Sequence, residues 1–280
     1  MDERLELNRQ MWDERVPLHV DSTFYDVEGF LRGRNSLESF EIEEVGCVEG
    51  KTLLHLQCHF GLDTLSWARL GAQAMGVDFS KPAIEQARRL AEQLGLDAHF
   101  KCAELYAVPD ILDQQFDIVY TSHGVLNWLP DVERWAQVVT AMLRPGGIFY
   151  LSEFHPISDP FAYDTEHGLV AERSYFTKEP TLEEESGTYA DLSAATTHNW
   201  SYQWTHTLGE IVTALVRAGL QIEFLHERPY TLFPRFSTLE RKDDGTYWFA
   251  EDRGIPLMFS LRARKPAVVG GAQDTWTPTP

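Results

Sequence analysis

Polar side chains recur at the ends of short apolar runs in this chain. Gln57, Cys58 and His59 stand at the end of the run at 52–58, Asp78 near the end of the run at 73–79, and Glu104 after the one at 98–103. Ser122 and His123 stand at the end of the run at 116–122, and Glu153 and His155 at the end of the run at 148–154. This spacing suits a nucleoside lying across strand ends. A sharp turn at Gly61 lets a ligand approach the backbone. Asp78, about twenty residues into the unit, can accept both hydroxyl protons of a ribose. Glu104 and the backbone at Leu105 can hold an adenine edge.

A dinucleotide would ask for more. Its pyrophosphate needs glycines, but this loop has no G-x-G-x-x-G, and Gln57 and His59 would crowd it. A nucleoside with a short amino-acid tail needs no phosphate cradle, which favours S-adenosylmethionine over NAD. Its methyl sulfonium carries the chemistry. The protein must place a nucleophile and exclude water. Histidine titrates near neutral pH, so His123 and His155 are the candidate bases, with Glu153 orienting or sharing the role. Tyr25 and His206 are further candidates. His55, Cys58, His59 and Cys102 match no common zinc spacing, and strand geometry splits them between faces, so no metal is expected.

The elements that position these residues follow from periodicity. Strand-like runs at 52–58, 73–79, 98–103, 116–122 and 148–154 alternate with helical patterns at 62–71, 80–95 and 131–147. The helix at 80–95 has Ser80 as cap, Pro82 in its first turn, an apolar stripe of Ala83, Ala87, Leu90 and Leu94, and Gly95 as its stop. Alternation at this spacing implies right-handed crossovers and a parallel α/β sheet. Ligands bind at the carboxyl ends of such strands, where the polar residues converge. A helix and strand follow at 205–227, and a last strand at 255–265.

Taken in order, "LLHLQCHFG", "GVDFS", "AELYAVP", "FDIVYTSHGVLNWLPD" and "LRPGGIFYLSEFHP", then "QIEFLHE" and "MFSLRARK", resemble a class I S-adenosylmethionine-dependent methyltransferase over roughly residues 45–265. The resemblance implies a Rossmann-like, seven-stranded, mostly parallel sheet in the order 3-2-1-4-5-7-6, with strand 7 antiparallel and helices on both faces. It implies S-adenosylmethionine as cofactor and S-adenosylhomocysteine as product. Gly61 then matches the last glycine of the family's first motif, and Asp78, with Phe79 beside it, the ribose-binding acid. Glu104 and Leu105 match the adenine site, and Ser122 and His123 the wall of the methionine portion. The pattern H-L-Q-C-H-x-G followed by E-x-H-P resembles a subgroup. There Gln57, Cys58 and His59 shape the cofactor loop through side chains, and His55 stands where the family commonly has an acid.

Residues 1–45 read as a helical cap, with Trp12, His19 and Tyr25 either lining the pocket or packing on the surface. Residues 156–205 read as an insertion over the carboxyl edge, a lid or binding segment. Within it and just beyond, Trp200, Tyr202, Trp204 and His206 recur at period two, as a core-facing strand or as substrate contacts. Trp128 and Trp135 read as core, and 266–280 as a disordered tail. A net charge of −19 repels phosphate backbones and speaks against a nucleic-acid partner. Three cysteines, no signal peptide and no membrane-spanning run point to the cytoplasm. The expected function is methyl transfer to O, N or C of a small-molecule acceptor, aromatic or amine-bearing. An NAD-dependent oxidoreductase and a non-catalytic S-adenosylmethionine-binding protein are the alternatives. The sequence leaves the acceptor and the oligomeric state open.

Overall fold

Alternate residues of the central strands face opposite ways, and both directions are apolar. Leu54, Leu56, Val119, Phe149 and Leu151 join one buried cluster, while Leu53, Ile118, Tyr120, Ile148 and Tyr150 join another. Strands of this kind must be covered on both faces. The computed structural model, which describes residues 2–161, 169–251 and 254–267, contains such a sheet.

Three helices come first: α1 (Glu3–Val20), α2 (Val27–Leu31) and α3 (Ser39–Val45). The alternating unit then runs β1 (Thr52–Leu56), α4 (Leu62–Arg69), β2 (Gln73–Asp78), α5 (Lys81–Leu94), β3 (Ala98–Cys102), α6 (Val108–Ile111), β4 (Phe116–Ser122), α7 (Val132–Met142) and β5 (Leu143–Phe154). A hairpin of β6 (Thr181–Glu184) and β7 (Trp200–Gln203) precedes α8 (Leu208–Arg217) and β8 (Gln221–Arg228). Three short strands, β9 (Tyr230–Thr231), β10 (Leu239–Arg241) and β11 (Tyr247–Phe249), lie before β12 (Met258–Arg264). The main sheet has the order β3-β2-β1-β4-β5-β12-β8, and β12 is antiparallel to both neighbours. That is the order and the one reversed strand expected from the sequence.

Packing explains the layers. On one face Trp135 and Val139 of α7 and Ile211 and Leu215 of α8 cover Phe149 and Leu261. On the other, Leu65 of α4 and Ala87 and Leu90 of α5 meet Phe60 and Phe100, while Val45 of α3 and Trp67 of α4 cover Leu53 and Ile148. The Ser80 hydroxyl caps α5 by accepting the Ala83 N–H, and Pro82 sits in the first turn.

Two local expectations change, and one further segment gains structure. The helix expected over 131–147 ends at Met142, because Leu143 already pairs with Phe116 and β5 carries Pro145, Gly146 and Gly147 through a register shift. Residues 230–249, which show no long periodicity, carry the small sheet β10-β11-β9. Trp135 is buried in the core, but Trp128 lines the large cavity described below, its indole N–H donating to the Gly124 carbonyl at 2.8 Å.

Gly61, at the start of α4, has φ +85°, and a Cβ built there would lie 2.7 Å from the Phe100 ring and 2.9 Å from the Ala87 methyl. The demand for glycine is thus set by the core beneath the loop as well as by the turn. Gly61→Ala is expected to destabilise the protein by about 1–3 kcal/mol through strain and overpacking. Guanidinium denaturation of both proteins, compared at equal slope, measures this.

Candidate functional site

The carboxyl ends of β1, β2, β3, β4 and β5 open into one cavity of about 1430 Å³. A single small ligand takes roughly 300–1,000 Å³, so there is room for two molecules. Gln57, Cys58, His59, Gly61, Asp78, Phe79, Glu104, Leu105, Ser122, His123 and Glu153 all line it, as do Trp12, Tyr25 and His206.

The loop after β1 has an unusual backbone. Gln57 and His59 have φ values of 57° and 49°, a left-handed region that costs a side-chain-bearing residue about 1–2 kcal/mol. Both side chains are tied down. Gln57 Nε2 donates to the Val125 carbonyl at 3.1 Å, and His59 Nε2 lies 2.8 Å from His19 Nδ1. The Asp78 carboxylate completes the loop, Oδ2 accepting the His59 N–H at 2.8 Å and Oδ1 the Ser80 N–H at 2.9 Å. Burial pushes the Asp78 carboxyl up to about 6, against the pull of these N–H donors. Each of its oxygens keeps a lone pair for another donor. Gln57 Oε1 is buried without a hydrogen-bond partner among the described residues. Glu104 spends one oxygen on the Tyr106 N–H at 3.0 Å.

The end of β4 is held by an acid that looked catalytic. The Glu153 carboxylate is buried and accepts the N–H groups of Gly124, Val125, Leu126 and Phe154. It therefore fixes the turn carrying Val125 and has little capacity left for a proton from a substrate. His155 is not among the lining residues. Its Nδ1 accepts the Ile157 N–H at 3.1 Å and its Nε2 donates to Glu227 Oε1 at 3.0 Å, so both nitrogens are engaged. Phe154, between them, faces the cavity instead. Ser122 donates to Asp63 Oδ2 at 2.9 Å and lies 3.3 Å from His55 Nε2. His55 itself is buried, with Nδ1 2.9 Å from Thr64 Oγ1. His123, with φ 29°, is half-buried at the cavity wall.

Helix α1 and the segment after β6 close the other side. Trp12 packs edge-on against His19, His59 and Trp128. His19 is fully buried, its Nε2 2.5 Å from Thr188 Oγ1, and burial pulls its imidazole down to about 2. It is a neutral link behind the wall and not a contact residue of the cavity. The Arg15 guanidinium donates to the carbonyls of Gly187 and Glu185, and the Tyr25 hydroxyl meets that of Tyr189. Trp200 and Tyr202 do not line the cavity. Strand β7 pairs with β6 and is clasped by α1, where Asn8 bonds both the N–H and the carbonyl of Tyr202. Trp204 and His206, past its end, do line it, and His206 Nε2 donates to the Leu129 carbonyl at 2.7 Å.

Several wall residues were not singled out from the sequence. Asp63 starts α4 and accepts the hydroxyls of Ser36 and Ser122; its signal is an acid in a first helical turn. Glu38 precedes α3, Phe161, Tyr189, Phe233 and Arg235 come from irregular segments, and Tyr247 opens the three-residue β11, too short for a periodic signal. Among the described residues no group of His, Cys, Asp and Glu is placed to hold a metal ion, and no helix is long and apolar enough to cross a membrane.

Residues 44–151 match the family model of the methyltransferase domain. A ubiquinone biosynthesis O-methyltransferase from Coxiella burnetii is 32% identical over 111 residues, 40% of this chain and 47% of that protein. One from Brucella ovis is 32% identical over 105 residues, 38% and 42% of the two chains. The chain thus spans under half the length of these curated relatives. Among solved structures, an S-adenosylmethionine-dependent methyltransferase from Mesorhizobium loti superposes with TM-score 0.57 at 23% identity, covering 84% of this chain and 99% of that one. The Burkholderia thailandensis 1,6-didemethyltoxoflavin-N1-methyltransferase, bound to its substrate and S-adenosylhomocysteine, superposes with TM-score 0.53 at 17% identity over 94% of this chain and 89% of that one. Strand order, matched segment and relatives agree: residues 44–151 carry a methyltransferase domain, and the chain has the fold of S-adenosylmethionine-dependent methyltransferases.

Proposed function

We propose that this chain transfers a methyl group from S-adenosylmethionine to O, N or an electron-rich carbon of a small acceptor. The observation that carries the reading is Asp78. It is a buried carboxylate with a lone pair free on each oxygen, at the end of β2, in a cavity with space for a second molecule. The residues present fit the cofactor. Asp78 would accept the ribose hydroxyls, Glu104 and the Leu105 backbone would hold the adenine, and Gln57 Oε1, an orphaned acceptor on a lining residue, would take an ammonium proton of the methionine tail. When bound, the cofactor supplies an electrophilic methyl on a positive sulfur.

The rest of the cavity is the acceptor's share. Phe154, Phe161, Phe233 and Tyr247 offer ring faces there, suited to a flat or aromatic molecule. The names of the two curated relatives favour oxygen as the methylated atom. Trp12, Tyr25 and Tyr189 exclude water from the cofactor end, and residues 156–205 act as the lid. A net charge of −19 and three cysteines, all unpaired, support a small-molecule substrate and a cytoplasmic setting, without nucleic acid.

Calorimetric titration with S-adenosylhomocysteine tests the cofactor site. Wild type is expected to bind, and Asp78→Ala to bind at least tenfold more weakly, about 1.4 kcal/mol or more. No binding by wild type sinks the proposal, and equal binding by both proteins overturns the placement of the ribose. The pH dependence follows from the same carboxylate. Only the ionised form accepts two hydroxyl protons, and its raised position near 6 means that form is lost as pH falls below about 6. The dissociation constant is therefore expected to rise toward tenfold per pH unit below that point in wild type and to stay flat over the same range in Asp78→Asn.

A further inference from the structure

A buried carboxylic acid from outside the strand-end constellation stands behind His123. Glu41, on α3, has no exposed surface. Its Oε2 accepts the Glu38 N–H at 2.9 Å in a capping box, and its Oε1 accepts the Tyr120 hydroxyl at 2.8 Å. The same Oε1 lies 3.4 Å from His123 Nε2, which is also 3.0 Å from Ser152 Oγ. His123 itself is held at φ 29°, with its N–H donating to the Ser152 carbonyl at 2.9 Å. Strain of this kind, over-determined by its surroundings, collects at functional positions. Both fixed contacts of the ring fall on Nε2, which leaves Nδ1 for the cavity that His123 lines.

We propose that Glu41 is a positioning residue for His123, fixing its Nε2–H form so that Nδ1 serves as the base toward a protic methyl acceptor. The inference rests on the methyl-transfer reading above for its chemistry, while its geometry rests on the contacts of Glu41 and His123 themselves. In the step, the acceptor X–H gives its proton to Nδ1 while the X electron pair bonds the methyl carbon. The carbon–sulfur bond breaks, and its pair stays on sulfur, turning the sulfonium into a neutral thioether. The histidine, now cationic, rests against the Glu41 carboxylate and later loses its proton to solvent. This is the orienting role that a buried acid plays toward an imidazole in other bases.

The charges around the pair come from several elements. Glu38 just before α3, Asp63 on α4 and His55 on β1 face it, with Tyr120 and Ser152 from the neighbouring strands, Arg228 from β8 acting on Glu41, and Asp244 on Glu38. Burial, then the Asp63 charge, pushes the Glu41 carboxyl up to about 8, and the Tyr120 hydroxyl opposes this. The base-ready arrangement, with Glu41 ionised, is accordingly favoured as pH rises through that value.

The experiment is long-range proton–nitrogen NMR of the full chain labelled with ¹⁵N-histidine, with the His123 signals assigned by their loss in His123→Gln. At pH 9 the ring is expected in the Nε2–H form. Its resonances should show a step near pH 8 that reports Glu41 ionising beside it. That step should vanish in Glu41→Gln. Should Glu41→Gln fail to fold, Tyr120→Phe removes only a hydroxyl, and the step should then move to higher pH. An Nδ1–H ring at pH 9, or a step unchanged in either variant, overturns the proposal. The readout needs no cofactor, so its failure is distinct from a failure to bind S-adenosylhomocysteine.

Discussion

Two residues that are not glycine hold a glycine's backbone at the floor of this site. Gln57 and His59 stay in the left-handed region because their side chains are bonded, one to the Val125 carbonyl and the other to His19, and because Asp78 takes the His59 N–H. Together the two conformations cost about 2–4 kcal/mol by the per-residue figure. A few charge-assisted and buried hydrogen bonds, each of about 1–3 kcal/mol, are of the size needed to offset it. The loop shape, the orientation of the Asp78 carboxylate and the seat of the turn at 124–126 are therefore one coupled unit.

That coupling extends the site beyond the sheet. His59 meets His19 of α1, and His19 meets Thr188 in the segment after β6. Among the described residues, the hydrogen-bond partners of the largely buried Arg15 guanidinium are backbone carbonyls of that same segment and the Met11 sulfur. A charge buried this way is costly unless its donors are met, so α1 and residues 185–189 hold each other in place. On the opposite wall, Glu153 does the equivalent with four N–H groups. Burial lifts its carboxyl above the ordinary range while these donors hold it down. A carboxylate so occupied organises a turn, which is a different task from moving a proton.

Much of this was legible in the sequence, and the rest was not for identifiable reasons. The parallel α/β sheet followed from alternating periodicity, because parallel strands buried on both faces read as apolar runs and crossovers have one hand, while the strand order came from the family resemblance. Polar residues at strand ends were visible for the same reason: a strand's length fixes where its end falls. What single positions along a strand could not reveal was which lone pairs were already spent. Glu153 and His155 alternate with Phe154 as a substrate-facing pair would, yet the turn at 124–126 and Glu227 consume them, and those partners lie 27 to 72 residues away in sequence. Likewise Trp200 and Tyr202 have the period of a ring-lined wall, but pairing with β6 and the clasp of Asn8 turn that strand to α1. Glu41 lay within residues 1–45, read only as a helical cap, and only the packing of α3 against Tyr120 of β4 makes it a buried acid.

The substitution of side chains for glycines in the cofactor loop then has a physical sense. A glycine loop would adopt the same turns without strain, and would also leave its backbone free to approach a phosphate. A ligand without phosphates gives that freedom no use. Gln57 and His59 instead convert the loop into a junction, joined on one side to the β4 turn and on the other, through His19, to the segment that closes over it. The strain is local, while the bonds that offset it reach from α1 to Thr188. Loss of any one partner would therefore relax the loop toward ordinary backbone angles and loosen the Asp78 carboxylate with it. In this chain the loop after β1 and the segment at Thr188 are joined through His19 by the same few hydrogen bonds.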